Sequence, residues 1–349
     1  MDRRYEFTRT TTSRIVIGLG VEDALPDLVR SLEPDGVVVL HDAALADLGV
    51  RVAKRLGAAA RLTIPGGEAS KKLANVGDLA RNIRLAGATR ATVVVGLGGG
   101  TITDLVGFTA SVLLRGVPFV CCPTTTLAMC DAALGGKNGV DHGGLKNELG
   151  TIRQPDLIVG DLAWLRTLPD EQFREGLVEV VKKAAVLDAA NFARLEPLAP
   201  ALAQRDVAAV TEAVDLAVTM KMALVQADEA DRGRRHALNF GHTIGHAIES
   251  LAGGKLRHGT CVGMGMLLEC RAAGVRDEVV ARLANVLTAL GVPKTVPPQF
   301  ANVSDLWRIA RSDKKAVRGS VPMCVPRAIG DAVEVELTDA ALGAALRAP

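Results

Sequence analysis

Three of the chain's six histidines lie between His242 and His258, in Asn239-Phe-Gly-His-Thr-Ile-Gly-His246 and in Leu256-Arg-His258-Gly. Imidazoles four residues apart on a helix leave it on one face. A third from a nearby loop, with a carboxylate from elsewhere, would complete a site for a divalent cation. His242 and His246 share the spacing of the HExxH metalloproteases, but Thr243 stands in the glutamate position, so that hydrolytic base is missing. Two hydrogen-bonded core histidines are the plainer alternative.

Other segments carry chemistry-bearing residues. Gly96-Leu-Gly-Gly-Gly-Thr-Ile-Thr-Asp104 follows a β-rich run and opens onto a helix, so its adjacent glycines either let backbone amides approach a phosphate-bearing cofactor or make a tight strand-to-helix turn. Pro123-Thr-Thr-Thr126 offers hydroxyls at the carboxyl end of another strand, where ligands of open sheets collect. Asp131-Ala-Ala-Leu-Gly-Gly-Lys137 and Lys146-Asn147 place lysines around a glycine-rich bend, which suits an anionic ligand as well as it suits a surface loop. Glu179 and Lys182 lie three apart on an apolar helix, an intrahelical ion pair unless the histidines converge there. Lys221, Asp231 and Arg235 lead into Asn239; the charge run around them is a solvated face or the lining of an anionic-substrate site.

The elements that must position these residues divide the chain. Over 1–160, short β-rich runs at 14–18, 36–40, 61–64, 91–95, 118–122 and 157–159 alternate with helical patterns at 22–31 and 69–86. Such alternation predicts a largely parallel sheet covered by helices. From Pro169 the segments 169–196, 198–226, 242–251, 259–273 and 277–290 are Ala/Leu-rich and helix-periodic. The fold expected is an α/β domain over 1–160 with a largely parallel sheet and an all-α domain over 161–349. A site between the two is the natural expectation, since pockets favour domain interfaces.

Composition narrows the function. The 41 basic and 39 acidic residues give a net charge of +2, which argues against a nucleic-acid surface. No apolar run reaches transmembrane length, and the stretch from Met1 to Gly18 lacks the apolar core of a secretory signal. The six cysteines form no CxxC pair and read as reduced, buried residues. A cytoplasmic setting is expected, with no nucleic acid and no membrane partner.

Taken in order, PGGEASK (65–71), GGGTITDLVGF (98–108), LLRG (113–116), PTTTLAMCDAALGGK (123–137), LKNELG (145–150), LRTLP (165–169), GLVEVVK (176–182), LNFGHTIGHAIE (238–249), HG (258–259) and DKK (313–315) resemble the sugar phosphate cyclase superfamily. Within it the chain is most similar to the 3-dehydroquinate synthase family. The resemblance implies a dehydroquinate synthase-like fold with NAD in the α/β domain, framed by Asp42, Glu68, Lys71, Gly99, Gly100, Asp104, Thr124, Thr125, Lys137, Lys146 and Thr167. It implies zinc or cobalt held by Glu179, His242 and His258; spacing alone would have chosen His246, which the family pattern places among the proton-handling groups. Asp131, Lys137, Asn147, Lys182, Lys221, Arg235, Asn239, His246 and one or both of Lys314 and Lys315 match the substrate pocket, and Lys137, Lys182, Arg235, Asn239 and His246 are the catalytic candidates. Arg115 matches a residue reaching the phosphate of a neighbouring subunit, which implies a homodimer.

The implied reaction converts 3-deoxy-arabino-heptulosonate 7-phosphate to 3-dehydroquinate and phosphate, in the shikimate route to aromatic amino acids. An alcohol is transiently oxidised by NAD, phosphate is eliminated, hydride returns, and an intramolecular aldol addition closes the ring. Three positions depart from the family pattern: Asp231 stands where Glu is usual, Lys183 where an aromatic or small residue is common, and Leu145 where Gly precedes the Lys-Asn pair. Retained Arg235, Asn239 and His246 argue against cyclases of sedoheptulose 7-phosphate and against 2-deoxy-scyllo-inosose synthases, whereas aminodehydroquinate synthases keep nearly the same pocket. A metal-dependent dehydrogenase of the glycerol dehydrogenase type shares the layout but has no use for Lys137, Lys182 and Lys221 together.

Overall fold

The computed structural model describes residues 10–231, 233–312 and 320–347. Among them are ten strands and twelve α-helices. The strands are β1 (Arg14–Gly18), β2 (Val37–Asp42), β3 (Ala60–Ile64), β4 (Val93–Gly98), β5 (Phe119–Pro123), β6 (Lys137–His142), β7 (Leu145–Ile152), β8 (Leu157–Asp161), β9 (Val321–Ala328) and β10 (Asp331–Leu337). The helices are α1 (Leu25–Arg30), α2 (Ala46–Arg55), α3 (Leu73–Leu85), α4 (Gly100–Val112), α5 (Asp170–Leu187), α6 (Ala189–Ala203), α7 (Val207–Ala227), α8 (His242–Ala252), α9 (His258–Ala272), α10 (Asp277–Ala289), α11 (Val303–Ala310) and α12 (Asp339–Arg347). The chain divides into two compact units, one running to Pro123 and resuming at Gly135–Asp161, the other made of Thr124–Leu134 and the chain from Leu162 onward.

In the first unit six strands form one parallel sheet in the order β1-β8-β5-β4-β2-β3. The β-rich runs of the sequence supply all six. β4, β5 and β8 are buried along their whole length, as strands covered on both faces must be, while the edge strands β1 and β3 are partly exposed. Parallel pairing puts Asp42, Gly98, Pro123 and Asp161 at the same edge, the carboxyl ends of their strands. The bend at 131–147 is not a simple loop: β6 and β7 pair as an antiparallel hairpin, with Gly143 (φ 59°) and Gly144 (φ 82°) at its tip.

The second unit is helical, with one correction to the all-α expectation. β9 and β10 form an antiparallel hairpin turned by Gly330 (φ 82°). Helix boundaries also move: the expected 169–196 helix breaks at Asp188, which leaves helical geometry (φ −157°) and caps α6 by accepting from the Asn191 amide. Pro197 and Pro200 sit inside α6 on its exposed side, where water can satisfy the carbonyls they leave unpaired. α9 is buried from Cys261 to Cys270, as befits a helix packed on all sides. Among the described residues no helix is long and apolar enough to cross a membrane. All six cysteines are buried and free, and burial pushes the Cys130 thiol up to about 12.

Candidate active site

Helices α8 and α9 cross closely because glycines line their contact. A Cβ on Gly245 would lie 2.9 Å from Val262 Cα, and one on Gly265 only 2.2 Å from Gly241 O. The approach brings the three imidazoles together. Ring centroids of His242, His246 and His258 are 5.1, 5.4 and 5.7 Å apart, and their potential ligand atoms all lie within 4.8 Å of one another. His242 Nδ1 donates to Phe240 O at 3.2 Å and His258 Nδ1 to a Glu249 oxygen at 2.9 Å. In that tautomer each Nε2 is left as the basic nitrogen.

Glu179 comes from α5 and is 2% exposed. Its Oε1 is 3.8 Å from His242 Nε2 and its Oε2 is 2.6 Å from Lys182 Nζ, yet among the described residues neither oxygen has a partner in hydrogen-bonding geometry. Burial would raise its carboxyl, but Lys182 and then His242 hold it down to about 2. His242 is driven down to about 3, by burial first and then by Lys182, and is a neutral imidazole at pH 7. For His258, burial is outweighed by the Glu249 hydrogen bond and by Glu179, and its pKa is raised. An ionised, incompletely satisfied carboxylate beside neutral-imidazole nitrogen is the donor set a borderline divalent cation takes, and these residues fit one.

Two carboxylates were not read from sequence as part of the site. Glu249 lies three residues after His246 and seven after His242, a spacing that puts all three on one helical face. Glu269 is fully buried in apolar α9 and accepts from the Gly241 and Ile244 amides at 2.7 and 2.9 Å, capping the start of α8 in place of a local side chain. Burial pushes its carboxyl up to about 8, against those amides and that of Thr243. A lone acid in an apolar helix requires such partners and was the available signal.

A second cluster surrounds Asp131, which stands on a π-turn at Ala128–Ala132. Its Oδ1 is 2.7 Å from Lys183 Nζ and 2.9 Å from Lys221 Nζ; Lys221 also donates to the Asp131 carbonyl at 2.6 Å. Burial opposes ionisation of Asp131, but Lys183, Lys221 and Lys182 hold its pKa well below the carboxylate range. Lys221 is lowered to about 8, by burial first and by neighbouring cations Lys183 and Arg235, against Asp131. Arg235, 5% exposed, donates to Glu229 O at 3.2 Å, and its buried Nε has no hydrogen-bond partner among the described residues. Lys182, Lys183, Lys221 and Arg235 against Glu179 and Asp131 make four cations to two carboxylates, two positive charges in excess. Asn239 ends the turn Arg234–Asn239 just before α8. Thr124 is buried, Thr125 Oγ1 accepts from the Ala128 amide at 3.1 Å as a turn cap, and Thr167 is exposed on the turn Leu162–Thr167.

The remaining candidates lie in the first unit. Gly99 caps α4, which Gly100 begins, and the strand-to-helix turn is tight: a Cβ on Gly98 would meet Ile102 Cγ1 at 2.5 Å. Lys71, 4% exposed, pairs with Asp104 at 2.6 Å, tying the Glu68–Ser70 turn to α4. The Asp42 carboxylate accepts from the Ala44 amide and lies beside Gly66. Lys137, Lys146 and Asn147 are exposed on the β6–β7 hairpin, with Asn147 at φ 52°. Arg115 is exposed, and both it (φ 67°) and Leu114 (φ 51°) occupy the left-handed region. Lys314 and Lys315 lie outside the described residues.

A parallel-sheet unit with a glycine-rich turn, and a helical unit with converging histidines beside buried lysines, define the class of the sugar phosphate cyclases. The solved structure of 2-epi-5-epi-valiolone synthase from Streptomyces hygroscopicus subsp. jinggangensis, with NAD+ and Zn2+ bound, has this fold: TM-score 0.87, 29% identity, covering 99% of this chain and 98% of that one. Residues 61–175 match the family model of the 3-dehydroquinate synthase N-terminal region and 176–316 that of its C-terminal region. A 3-dehydroquinate synthase of Pelobacter propionicus is 40% identical over 285 residues, 79% of this chain and 78% of its own. One of Pyrobaculum islandicum is 36% identical over 322 residues, 91% and 89% respectively. The chain belongs to the 3-dehydroquinate synthase family.

Proposed function

We infer that the chain is a phosphate-eliminating carbon–oxygen lyase that converts 3-deoxy-arabino-heptulosonate 7-phosphate to 3-dehydroquinate and phosphate. Family membership supports the reaction, and the observation that carries the substrate class is the excess of buried positive charge around Asp131. A neutral polyol would leave those cations uncompensated; a substrate bearing both phosphate and carboxylate pairs with them.

Glu179, His242 and His258 would hold the divalent cation, and the first unit's glycine-rich turn with Asp42, Lys71 and Asp104 would hold NAD+. Bound NAD+ would accept and return a hydride, and a bound cation would act as a Lewis acid on the alcohol and ketone oxygens. The chain's own groups do the rest. Lys221 and Arg235 hold the anionic groups, Asp131 accepts from a sugar hydroxyl, and Lys182 and Asn239 orient the reacting carbons. His246, the most exposed of the three imidazoles, exchanges a proton with solvent in this reading, while His242 is kept neutral by burial. Lys137, Asn147 and the lysines at 314–315 complete the anion-binding set in this reading. A cytoplasmic homodimer with Arg115 at the partner's phosphate goes with it, and light scattering of the purified protein checks the dimer.

The test is incubation with NAD+, Zn2+ and the sugar phosphate, following phosphate and NADH together. Phosphate release without NADH accumulation is expected. NADH accumulating on simple polyols would assign a dehydrogenase instead, and turnover only of an amino-substituted sugar phosphate would move the substrate to the aminodehydroquinate class.

A further inference from the structure

Lys183 is a charged side chain among the largest wholly buried ones, 0% exposed. It follows Lys182 on α5 and so projects about 100° round the helix from it. An ammonium in that position must find partners or lose its proton. It finds Asp131 Oδ1 at 2.7 Å and, one turn back on its own helix, Glu179 O at 3.5 Å. Lys221, from α7, approaches the same Asp131 oxygen at 2.9 Å. Two ammoniums from two helices therefore converge on Oδ1, while the Asp131 side chain keeps 29% exposure.

This geometry has two consequences. Among the described residues the carboxylate is held through Oδ1 alone, which leaves Oδ2 as the edge for a ligand. The charge balance changes as well: with Lys221 alone, Asp131 would neutralise it, whereas with Lys183 present the trio carries one net positive charge. We propose that Lys183 is a positioning residue for the sugar phosphate. It anchors Asp131 so that Oδ2 receives a substrate hydroxyl, and it leaves Lys221 electrostatically available to the substrate's anionic group. The proposal rests on the reading of Asp131 and Lys221 as substrate contacts. Lys183 touches no reacting atom and acts through Asp131.

The test compares wild type, Lys183→Met, Asp131→Asn and the double variant, all loaded with NAD+ and Zn2+. Methionine has similar length and suits a buried site, and Lys221 still pairs with Asp131 in this variant. Sugar phosphate affinity is read by calorimetry, kcat and KM by phosphate release, and zinc content and KM for NAD+ serve as controls. For Lys183→Met the expected result is a KM for sugar phosphate raised roughly tenfold, the scale of one charge-assisted hydrogen bond, with zinc content and KM for NAD+ unchanged. Adding Lys183→Met to Asp131→Asn should cost little more, because both act through one carboxylate. Lys183→Gln, which can still donate to Oδ1, should restore part of the affinity and covers the case of a poorly folding Met variant. Unchanged substrate KM in Lys183→Met (or in Lys183→Gln where the Met variant does not fold), or losses that multiply in the double variant, would overturn the proposal while leaving the function standing. Wild type that neither binds nor turns over the sugar phosphate would overturn the functional reading, and the proposal with it.

Discussion

Replacing Glu249 by alanine should weaken zinc binding although Glu249 is not among the proposed ligands. Its Oε2 accepts from His258 Nδ1 at 2.9 Å, which fixes the imidazole with Nε2 as the basic nitrogen. Without that bond His258 can take the other tautomer or rotate, and each such state must be reversed before a cation is held. Partners of this kind contribute about 10- to 100-fold to metal affinity, roughly 1.4 to 2.7 kcal/mol. The two side chains are 27% and 25% exposed, so solvent screening places the loss towards the lower end, about 10- to 30-fold. Glu249→Gln keeps an acceptor without the charge and should lose less. The assay is competition for Zn2+ against a chelating dye, with Glu171→Ala as a control, since Glu171 makes only an exposed pair with Arg257 at 3.6 Å. Zinc affinity unchanged in a folded Glu249→Ala protein would refute the tautomer argument.

Other perturbations probe the scaffold. Lys71→Met removes the ammonium 2.6 Å from Asp104; loss of one partner of a buried pair costs about 3 kcal/mol, and the partial exposure of Asp104 keeps it from more, which a urea titration would read. Gly265→Ala forces α8 and α9 apart at a 2.2 Å approach, so we expect a loss of about 1 to 3 kcal/mol together with weaker zinc binding; unchanged melting would show the crossing is less tight than described. Glu269, with its carboxyl raised to about 8, is protonated in the fold where the unfolded chain is ionised. Its contribution is therefore fully present below about pH 4.5 and lost as pH rises towards about 8, with a limiting slope of about 1.4 kcal/mol per pH unit. Glu269→Gln should flatten that part of the stability profile, and a profile identical to wild type would contradict the assignment.

Local patterning made the six sheet strands readable, because central parallel strands are apolar on both faces and announce themselves as Val-rich runs. The β6–β7 hairpin is hidden because β7 is largely exposed and polar and β6, though buried from Asn138 to Val140, is polar and glycine-bearing, and β9–β10 because its proline-bearing strand breaks a simple alternation. The helix break at Asp188 was misplaced towards Pro197, since an N-cap overrides a proline that faces water. Spacing alone placed His242 and His246 on one face of α8. It could not bring Glu179 to them from a helix far earlier in the chain, because that contact depends on how α5 packs against α9. Lys183 stands out in sequence only as a departure on an apolar helix; its partner Asp131 comes from a turn far earlier in the chain, which spacing cannot bring to it.

The chemistry depends on which side chains take the cation. The direct measurement is anomalous diffraction at the zinc edge from crystals of the zinc-loaded protein. It should place the ion at about 2.0 to 2.2 Å from a Glu179 oxygen and from the Nε2 atoms of His242 and His258, with His246 outside its ligands. An ion held by His242, His246 and His258, with Glu179 still against Lys182, would contradict it.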